Sequence, residues 1–129
     1  MDCLFCKIVN GDIPATKVYE DDKVLVFFDI NPITNGHVLI IPKEHLVTIN
    51  DITPELATHI LDVEKKIYKL FREKLDIPGL TILHNNNLGQ EVNHYHVPLI
   101  PRYEDDNLKM LSNKDILKDV DELLNKLND

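Results

Sequence analysis

The segment EVNHYHVPLIPRY, residues 91–103, contains two histidines that alternate with apolar residues. In a β-strand, residues two apart share a face and lie roughly 7 Å apart, so His94, His96 and Pro98 are expected to point the same way. Two imidazoles on one face suit three roles. One of them acts as a nucleophile, both bind a metal, or both are hydrogen-bonded residues of a polar groove. The spacing alone leaves these three roles open.

The residues around this segment favour a functional site. NNNLGQ, residues 85–90, offers amide side chains and backbone N–H groups that can bind an oxyanion, although such a run is also typical of an ordinary surface turn. His37 begins another expected strand, and His45 follows that strand. Together with His94 and His96, this places four histidines at strand ends, which a plain turn does not explain.

The two cysteines form a second group with possible chemistry. A structural zinc site requires four nitrogen or sulfur ligands in a tetrahedral arrangement, and Cys3-x-x-Cys6 supplies two of them. The same spacing is also compatible with two inert thiols or with a redox disulfide.

The elements that position these residues can be predicted from apolar periodicity. LFCKIVNG is expected to form a short helical turn, and β-rich runs predict five strands: TKVYE, KVLVFFD, HVLIIP, LTILHN and VNHYHVPLI. Thr53 and Pro54 predict the start of a long helix, which ends before Pro78. Its apolar stripe is Leu56, Ile60, Val63, Ile67, Leu70 and Phe71. A C-terminal helix is expected over about residues 112–127, with Ser112 and Asp115 as its capping box.

These elements predict the fold class. The connections between the first three strands are too short for helical crossovers, which indicates an antiparallel, roughly five-stranded sheet with helices on one side. We therefore expect a single α+β domain over residues 1–129. Pro98 cannot donate a ladder hydrogen bond, so its strand is expected to lie at an edge or to contain a bulge.

Composition excludes several classes of protein. The 129 residues carry a net charge of −8, which argues against binding to nucleic acid polymers, because these require a basic surface. No apolar run approaches the roughly 20 residues that span a bilayer. The N-terminus does not resemble a secretion signal. We expect a cytoplasmic protein with reduced cysteines.

The segment GQEVNHYHVPLIPR resembles the signature of the histidine triad (HIT) superfamily, in which Gly-Gln-x-Val precedes three histidines separated by apolar residues. CLFCKIVNGDIPATKVYEDD and VFFDINPITNGHVLIIPKEH are similar to the start and middle of bacterial members. The resemblance covers Cys3 to Tyr103. It implies an α+β domain that dimerises through a helix and strands, and an enzyme that hydrolyses or transfers nucleotidyl groups.

The resemblance also implies roles for individual residues. His96 corresponds to the nucleophile that attacks the α-phosphorus, and His37 to an upstream histidine that orients and polarises the site. Substrate contacts are implied for residues that would hold the base, ribose or phosphate: Phe28, Asp29, Ile30, Asn86, Gly89, Gln90 and Glu91. Phe5 and Ile8 are candidates for the base slot or for plain core. The expected ligand is a purine nucleotide or a nucleotide conjugate such as a nucleoside 5′-phosphoramidate.

This chain departs from the signature at Pro98, which replaces the third histidine. In the family that residue assists the leaving group. Three outcomes therefore stay open: a slow hydrolase, a nucleotidyl transferase, or a nucleotide-binding protein with weak or lost catalysis. His84 is a candidate for the missing acid.

The resemblance further implies a structural Zn²⁺ bound by Cys3, Cys6, His45 and His94. His94 would then be a ligand, while His96 acts as the nucleophile. The main alternative from another class of protein is the nucleotide-binding or scaffold protein without catalysis. A zinc-stabilised interaction module without nucleotide affinity is a further possibility.

Overall fold

The computed structural model describes residues 2–129. Five strands span Lys17–Glu20 (β1), Val24–Phe28 (β2), Val38–Pro42 (β3), Gly79–Ile82 (β4) and Val97–Arg102 (β5). They form one antiparallel sheet in the order β1-β2-β3-β5-β4. The α-helices of this part of the chain span Leu4–Val9 (α1), Pro54–Lys74 (α2) and Val120–Leu127 (α3). The predicted α+β class, with an antiparallel sheet, one long helix and a C-terminal helix, is confirmed.

Helices cover both faces of the sheet, so the expectation that they lie on one side is wrong. Alternate residues of β2 and β3 pack in two separate cores. Val24, Val26, Val38 and Ile40 pack with α2, whereas Leu25, Phe27, Leu39 and Ile41 pack with α1. Because both faces are buried, these strands are continuous apolar runs rather than alternating ones.

The long helix begins and ends where the sequence predicts. The Thr53 hydroxyl accepts a hydrogen bond from the Leu56 N–H at 3.1 Å, and Pro54 occupies the first helical position, where no N–H is needed. The residues of α2 that are buried against the sheet are Ile60, Val63, Ile67 and Phe71. Leu70, which belongs to the predicted stripe, is 38% exposed at the margin of this face.

Pro98 lies in an interior strand, not at an edge, and its pairing to β3 is regular from Val97 to Leu99. Its carbonyl accepts from the Leu83 N–H at 3.0 Å. In an antiparallel ladder the N–H and C=O of one residue face the same neighbour, so the missing N–H of Pro98 also faces Leu83, where β4 has already ended. The ladder therefore tolerates proline here without an edge or a bulge.

Three boundaries differ from the prediction by three residues or more. The fourth strand ends at Ile82, three residues before the end of the predicted run LTILHN. The fifth strand begins at Val97, so His94 and His96 lie in the non-regular segment before it. The C-terminal helix does not begin near Ser112. Instead, α3 begins at Val120, because the Asp119 carboxylate accepts from the Asp121 N–H at 2.9 Å and caps it there.

None of the helices in residues 2–129 combines the length and apolarity needed to span a bilayer.

Candidate functional site

His96 lies immediately before β5 and is 9% exposed. Its Nδ1 is 2.7 Å from the carbonyl oxygen of His94. A carbonyl only accepts hydrogen bonds, so Nδ1 must carry the proton, and in the neutral ring the lone pair lies on Nε2. His96 also lines a cavity of about 520 Å³. The ring therefore presents a free nitrogen lone pair in a site that can hold a ligand.

His94 is bonded through the opposite nitrogen. Its Nε2 donates to the Pro42 carbonyl at 2.8 Å, which leaves the Nδ1 lone pair free. That atom lies 3.4 Å from the Cys3 Sγ and 3.6 Å from the Cys6 Sγ. The Nδ1 of His45 lies 3.2 Å from the same Cys6 sulfur. Each of these four residues therefore places one ligand atom in the same small region of the structure.

The four side chains Cys3, Cys6, His45 and His94 can bind a metal ion. Their ligand atoms all lie within 4.8 Å of one another, and zinc–sulfur and zinc–nitrogen bond lengths imply tetrahedral ligands ~3.5 Å apart. Cys3 caps α1, and its Sγ accepts from the Cys6 N–H at 3.4 Å. The start of α1 thus holds both thiols beside the two imidazoles, as the sequence predicted.

Electrostatics make this cluster suited to a cation. Burial, followed by the charges of His45 and His96, lowers the pKa of His94, so this ring stays neutral and keeps its Nδ1 lone pair available. Burial, together with the adjacent Cys3 thiol, raises the pKa of the Cys6 thiol. A bound metal would compensate for that penalty, because metal ligation stabilises the thiolate.

A cavity of about 520 Å³ opens on the α1 side of the sheet. Its volume falls in the usual range for small-molecule sites. Polar groups enter it from several segments: Asp29, His37, Asn85, Glu91 and His96. Much of the remaining wall is apolar and includes Phe5, Ile8, Phe27, Phe28, Ile30, Leu39, Pro98 and Ile100. This mixture suits a ligand with one apolar and one polar part.

Asp29 and His37 lie together because they flank the connection between β2 and β3, where the Asp29 N–H donates to the His37 carbonyl at 3.1 Å. The preceding Gly36 has φ +92°, and a Cβ there would lie 3.1 Å from the Pro101 side chain. This turn therefore requires glycine, and it delivers His37 to the cavity.

The tautomer of His37 is set by its own loop. Nδ1 accepts from the Ile33 N–H at 3.0 Å, so the proton is on Nε2. Within residues 2–129 that buried Nε2 has no hydrogen-bond partner, and it lies 3.6 Å from an Asp29 carboxylate oxygen. Burial lowers the pKa of His37, although the Asp29 charge opposes part of that shift.

The expected substrate-binding residues divide into two groups. The cavity wall contains Phe28, Asp29, Ile30, Gly89 and Glu91, although the Ile30 side chain is 90% exposed. Asn86 and Gln90 do not line it, because their side chains bind the backbone elsewhere. The Asn86 amide oxygen accepts from the Ile49 N–H at 2.7 Å, and the Gln90 amide donates to the Val47 carbonyl at 2.7 Å.

Asn85 lines the cavity where the sequence suggested Asn86. The loop containing both has no regular secondary structure, and Asn87 adopts φ +67°, so strand alternation does not indicate which asparagine points inward. The run NNN could have narrowed the choice of the cavity-lining asparagine only to residues 85–87, not to one of them.

Phe5 and His84 occupy different environments. Phe5 packs edge-on against His96, with ring centroids 5.1 Å apart, and against His94 at 5.8 Å. His84 packs against Tyr95 with the rings tilted at 45° and their centroids 4.2 Å apart, and it does not line the cavity. The candidate acid suggested by the sequence is therefore absent from the cavity wall.

The antiparallel sheet, the cavity histidine and the adjacent cysteine–histidine cluster define a protein of the histidine triad class. The model of the HIT domain family matches residues 10–105, and the chain belongs to this family.

Known relatives support the same assignment. An uncharacterized HIT-like protein of Methanocaldococcus jannaschii is 45% identical over 130 residues, which cover 97% of this chain and 98% of the relative. The adenosine 5′-monophosphoramidase of Candida albicans is 39% identical over 109 residues, 80% of this chain and 72% of that protein. A crystal structure of a Zn-bound histidine triad family protein from Mycobacterium smegmatis gives a TM-score of 0.79 at 39% identity, covering 88% of this chain and 84% of that one.

Proposed function

We propose that this protein is a nucleotidyl hydrolase that cleaves purine nucleoside 5′-phosphoramidates or related nucleotidyl conjugates through a covalent intermediate on His96. The observation that carries this proposal is the His96 Nδ1–H bond to the His94 carbonyl, which leaves the Nε2 lone pair for attack. The name of the Candida albicans relative, an adenosine 5′-monophosphoramidase, supports the reaction class.

In this proposal the apolar wall of the cavity receives the base, and Asp29 accepts hydrogen bonds from the ribose hydroxyls. The Nε2 of His96 attacks the α-phosphorus, and the bond to the leaving group breaks. Water then attacks the phosphorus of the nucleotidyl-histidine and releases a nucleoside monophosphate and the free imidazole. His37 remains neutral and orients polar groups beside Asp29. Asn85 replaces Asn86 as the candidate asparagine for the phosphate.

We assign a structural role to Zn²⁺ held by Cys3, Cys6, His45 and His94. The donor set of two thiolates and two imidazoles is the type that structural zinc prefers. Bound metal would fix α1 on the sheet and thereby hold Phe5 beside His96. We further propose that the whole chain acts as one cytoplasmic domain that forms a homodimer.

The direct test is the release of AMP from adenosine 5′-phosphoramidate and from adenosine 5′-(4-nitrophenyl phosphate). His96→Ala should abolish release from both compounds, whereas His59→Ala, on α2, is the matched control and should retain it. Nucleotidyl-protein trapped by rapid alkaline quench, which preserves the phosphorus–nitrogen bond that acid would hydrolyse, should disappear in the His96 variant only. Turnover that survives His96→Ala would identify a different nucleophile.

Pro98 favours a second candidate, a nucleotidyl transferase or a nucleotide-binding protein with lost catalysis, because proline has no group that can transfer a proton. A transferase would form product only when an acceptor such as a phosphate compound is added. A binding protein would bind AMP in calorimetry without releasing product from either substrate. A zinc-stabilised interaction module would not bind AMP at all.

A further inference from the structure

The cavity wall next to His96 lacks ionisable groups on its β5 side. His96, Pro98 and Ile100 all line the cavity, and Leu39, which pairs with Pro98 across the ladder, lines it too. Proline has no side-chain proton and no backbone N–H. The side chains that Leu39, Pro98 and Ile100 contribute beside His96 are hydrocarbon, so none of them can give a proton to a leaving group.

The ionisable groups in the described part of the cavity wall are Asp29, His37, Glu91 and His96. Asp29 and Glu91 are carboxylates, which accept hydrogen bonds when ionised. His37 is kept neutral by burial, which lowers its pKa, and its Nε2–H lies 3.6 Å from Asp29. A neutral imidazole is a very weak acid. The proton on Nδ1 of His96 is bonded to the His94 carbonyl, on the side of the ring away from the attacking nitrogen.

The bonds that form and break in the first step show which leaving groups can depart next to a wall without a proton donor. The Nε2 lone pair of His96 forms a bond to the α-phosphorus, and the bond from phosphorus to the leaving atom breaks with its electron pair on that atom. A carboxylate, sulfate or phosphate leaves as a stable anion without a proton. An amine has to be protonated on nitrogen before or during cleavage, because an amide anion is far too basic to leave. Water then attacks the phosphorus and the phosphorus–nitrogen bond breaks with its electron pair on Nε2. This yields the nucleoside monophosphate, releases one proton of the water to solvent and returns His96 to its neutral form with the proton still on Nδ1.

We propose that Pro98 makes this site selective for nucleotidyl mixed anhydrides, in which a nucleoside 5′-monophosphate is joined to a carboxylic, sulfuric or phosphoric acid. Phosphoramidates are the slow substrates of such a site. The inference rests on the proposed nucleotidyl chemistry of His96 and specifies its substrate class.

The test measures how the rate depends on the basicity of the leaving group. A series of aryl esters of AMP, from 4-nitrophenyl to unsubstituted phenyl, varies that basicity while the nucleotide stays constant. In the wild-type protein kcat/KM should fall steeply along the series, and adenosine 5′-phosphoramidate should react far more slowly than an acyl adenylate. Pro98→His should flatten the dependence, with a gain on the order of 10²–10⁴-fold for phenyl-AMP and the phosphoramidate. The 4-nitrophenyl ester should change only a few-fold.

Pro98→Ala is the matched control, because it restores the backbone N–H and removes the ring without adding an acid. It should keep the steep dependence. Thermal melting establishes that both variants are folded, and should Pro98→His not fold, the wild-type series alone decides. A shallow wild-type dependence, or a phosphoramidate cleaved as fast as the acyl adenylate, would overturn this inference and leave the His96 chemistry standing. Lack of turnover and of a covalent adduct with every substrate would instead overturn the proposed function, and this inference with it.

Discussion

His94 and His96 differ in which ring nitrogen binds the backbone. The Pro42 carbonyl takes the Nε2 proton of His94, and the His94 carbonyl takes the Nδ1 proton of His96. The free lone pair is therefore Nδ1 in one ring, facing the cysteines, and Nε2 in the other. Two histidines that are two positions apart in the chain thus offer different ring nitrogens, one suited to metal binding and the other to nucleophilic attack.

Burial of His37 predicts a loss of stability in mild acid. The pKa of His37 is lowered from the ordinary value of 6.5. Below pH 6.5 the unfolded chain therefore binds a proton at this residue that the folded chain does not bind. The stabilising contribution is therefore present above 6.5 and is lost as the pH falls toward the folded pKa. Urea unfolding should show a slope of up to about 1.4 kcal/mol per pH unit for each such group.

The matched variant is His37→Gln, which cannot titrate. Between about pH 7.5 and about pH 5.5 its unfolding free energy should fall less than that of the wild type. Some dependence should persist, because burial also lowers the pKa of His84 and His94. Equal slopes in the two proteins would contradict the assignment to His37.

The types of the site residues were predictable, but their orientations only in part. His37, Asp29 and His96 line one cavity because strand ends and a glycine turn place them there, and such features can be recognised in a sequence. The directions of Asn85 and Asn86 depend on a loop whose φ angles follow no period. The split between His94 and His96 depends on two backbone carbonyls, which no side-chain pattern reveals.

Among the helices, α1 connects the cysteine–histidine cluster to the cavity. Cys3 and Cys6 lie at its start, and Phe5 between them packs against both His94 and His96. Six residues are too few to form a stable helix alone. Its position therefore depends on core packing and on the ligand cluster.

Metal removal should consequently loosen α1. A chelator should lower the melting temperature of the wild-type protein, because a metal at 100 times its Kd stabilises the folded state by about 2.7 kcal/mol. The double variant Cys3→Ser, Cys6→Ser should melt at a lower temperature and show no further response to the chelator. Elemental analysis should find about one equivalent of zinc in the wild type only. A wild-type melting curve unaffected by chelator would argue against a structural metal.

Asp21 connects the β1–β2 hairpin to α2. One of its carboxylate oxygens accepts from the Lys23 and Val24 N–H groups, and the other from the Tyr19 hydroxyl at 2.8 Å and the His59 Nε2 at 2.7 Å. These bonds hold the pKa of Asp21 well below its usual range, against the effect of burial. His59 is half-buried in this contact.

Asp21→Ala should lower the free energy of unfolding by about 1–3 kcal/mol, because it leaves several donors without an acceptor. Asp22→Ala is the control, since this neighbouring carboxylate is exposed, and it should change stability by less than about 0.5 kcal/mol. Denaturant titration at neutral pH measures both. AMP release should be unchanged in either variant. Equal stabilities of the two variants would refute this role of Asp21.

The elements were predictable wherever local chemistry decides them. The cap at Thr53 and the apolar runs of β2 and β3 indicated α2 and the central strands. The sequence did not reveal that β5 lies between β3 and β4, because this order depends on long-range pairing. The start of α3 was predicted wrongly. The capping box pointed to Ser112, whereas Asp119 caps the helix that the structure contains.

At the scale of the whole molecule, exposed large apolar side chains lie in three regions. Large apolar side chains are exposed on the free face of α2, at β4 and along the C-terminal segment, including Leu61, Tyr68, Leu75, Ile82, Val120, Leu124 and Leu127. Exposed apolar side chains on one face of α2 and at β4 are candidates for an interaction surface, because large exposed apolar patches mark such surfaces. β4 is also an edge strand, whose free N–H and C=O groups can pair with another chain.

The proposed homodimer accounts for these surfaces if two copies join at β4 and the neighbouring face of α2. Light scattering coupled to size exclusion should give twice the chain mass of 14.9 kDa. Ile82 is 48% exposed on the edge strand, and Ile82→Lys should shift the mass toward one chain, because a lysine at an edge opposes strand pairing. Leu88→Lys is the control, since Leu88 is 98% exposed on a loop outside the sheet, and it should remain dimeric. A wild-type mass of one chain would refute the dimer, whereas a dimeric Ile82→Lys variant would refute pairing through β4.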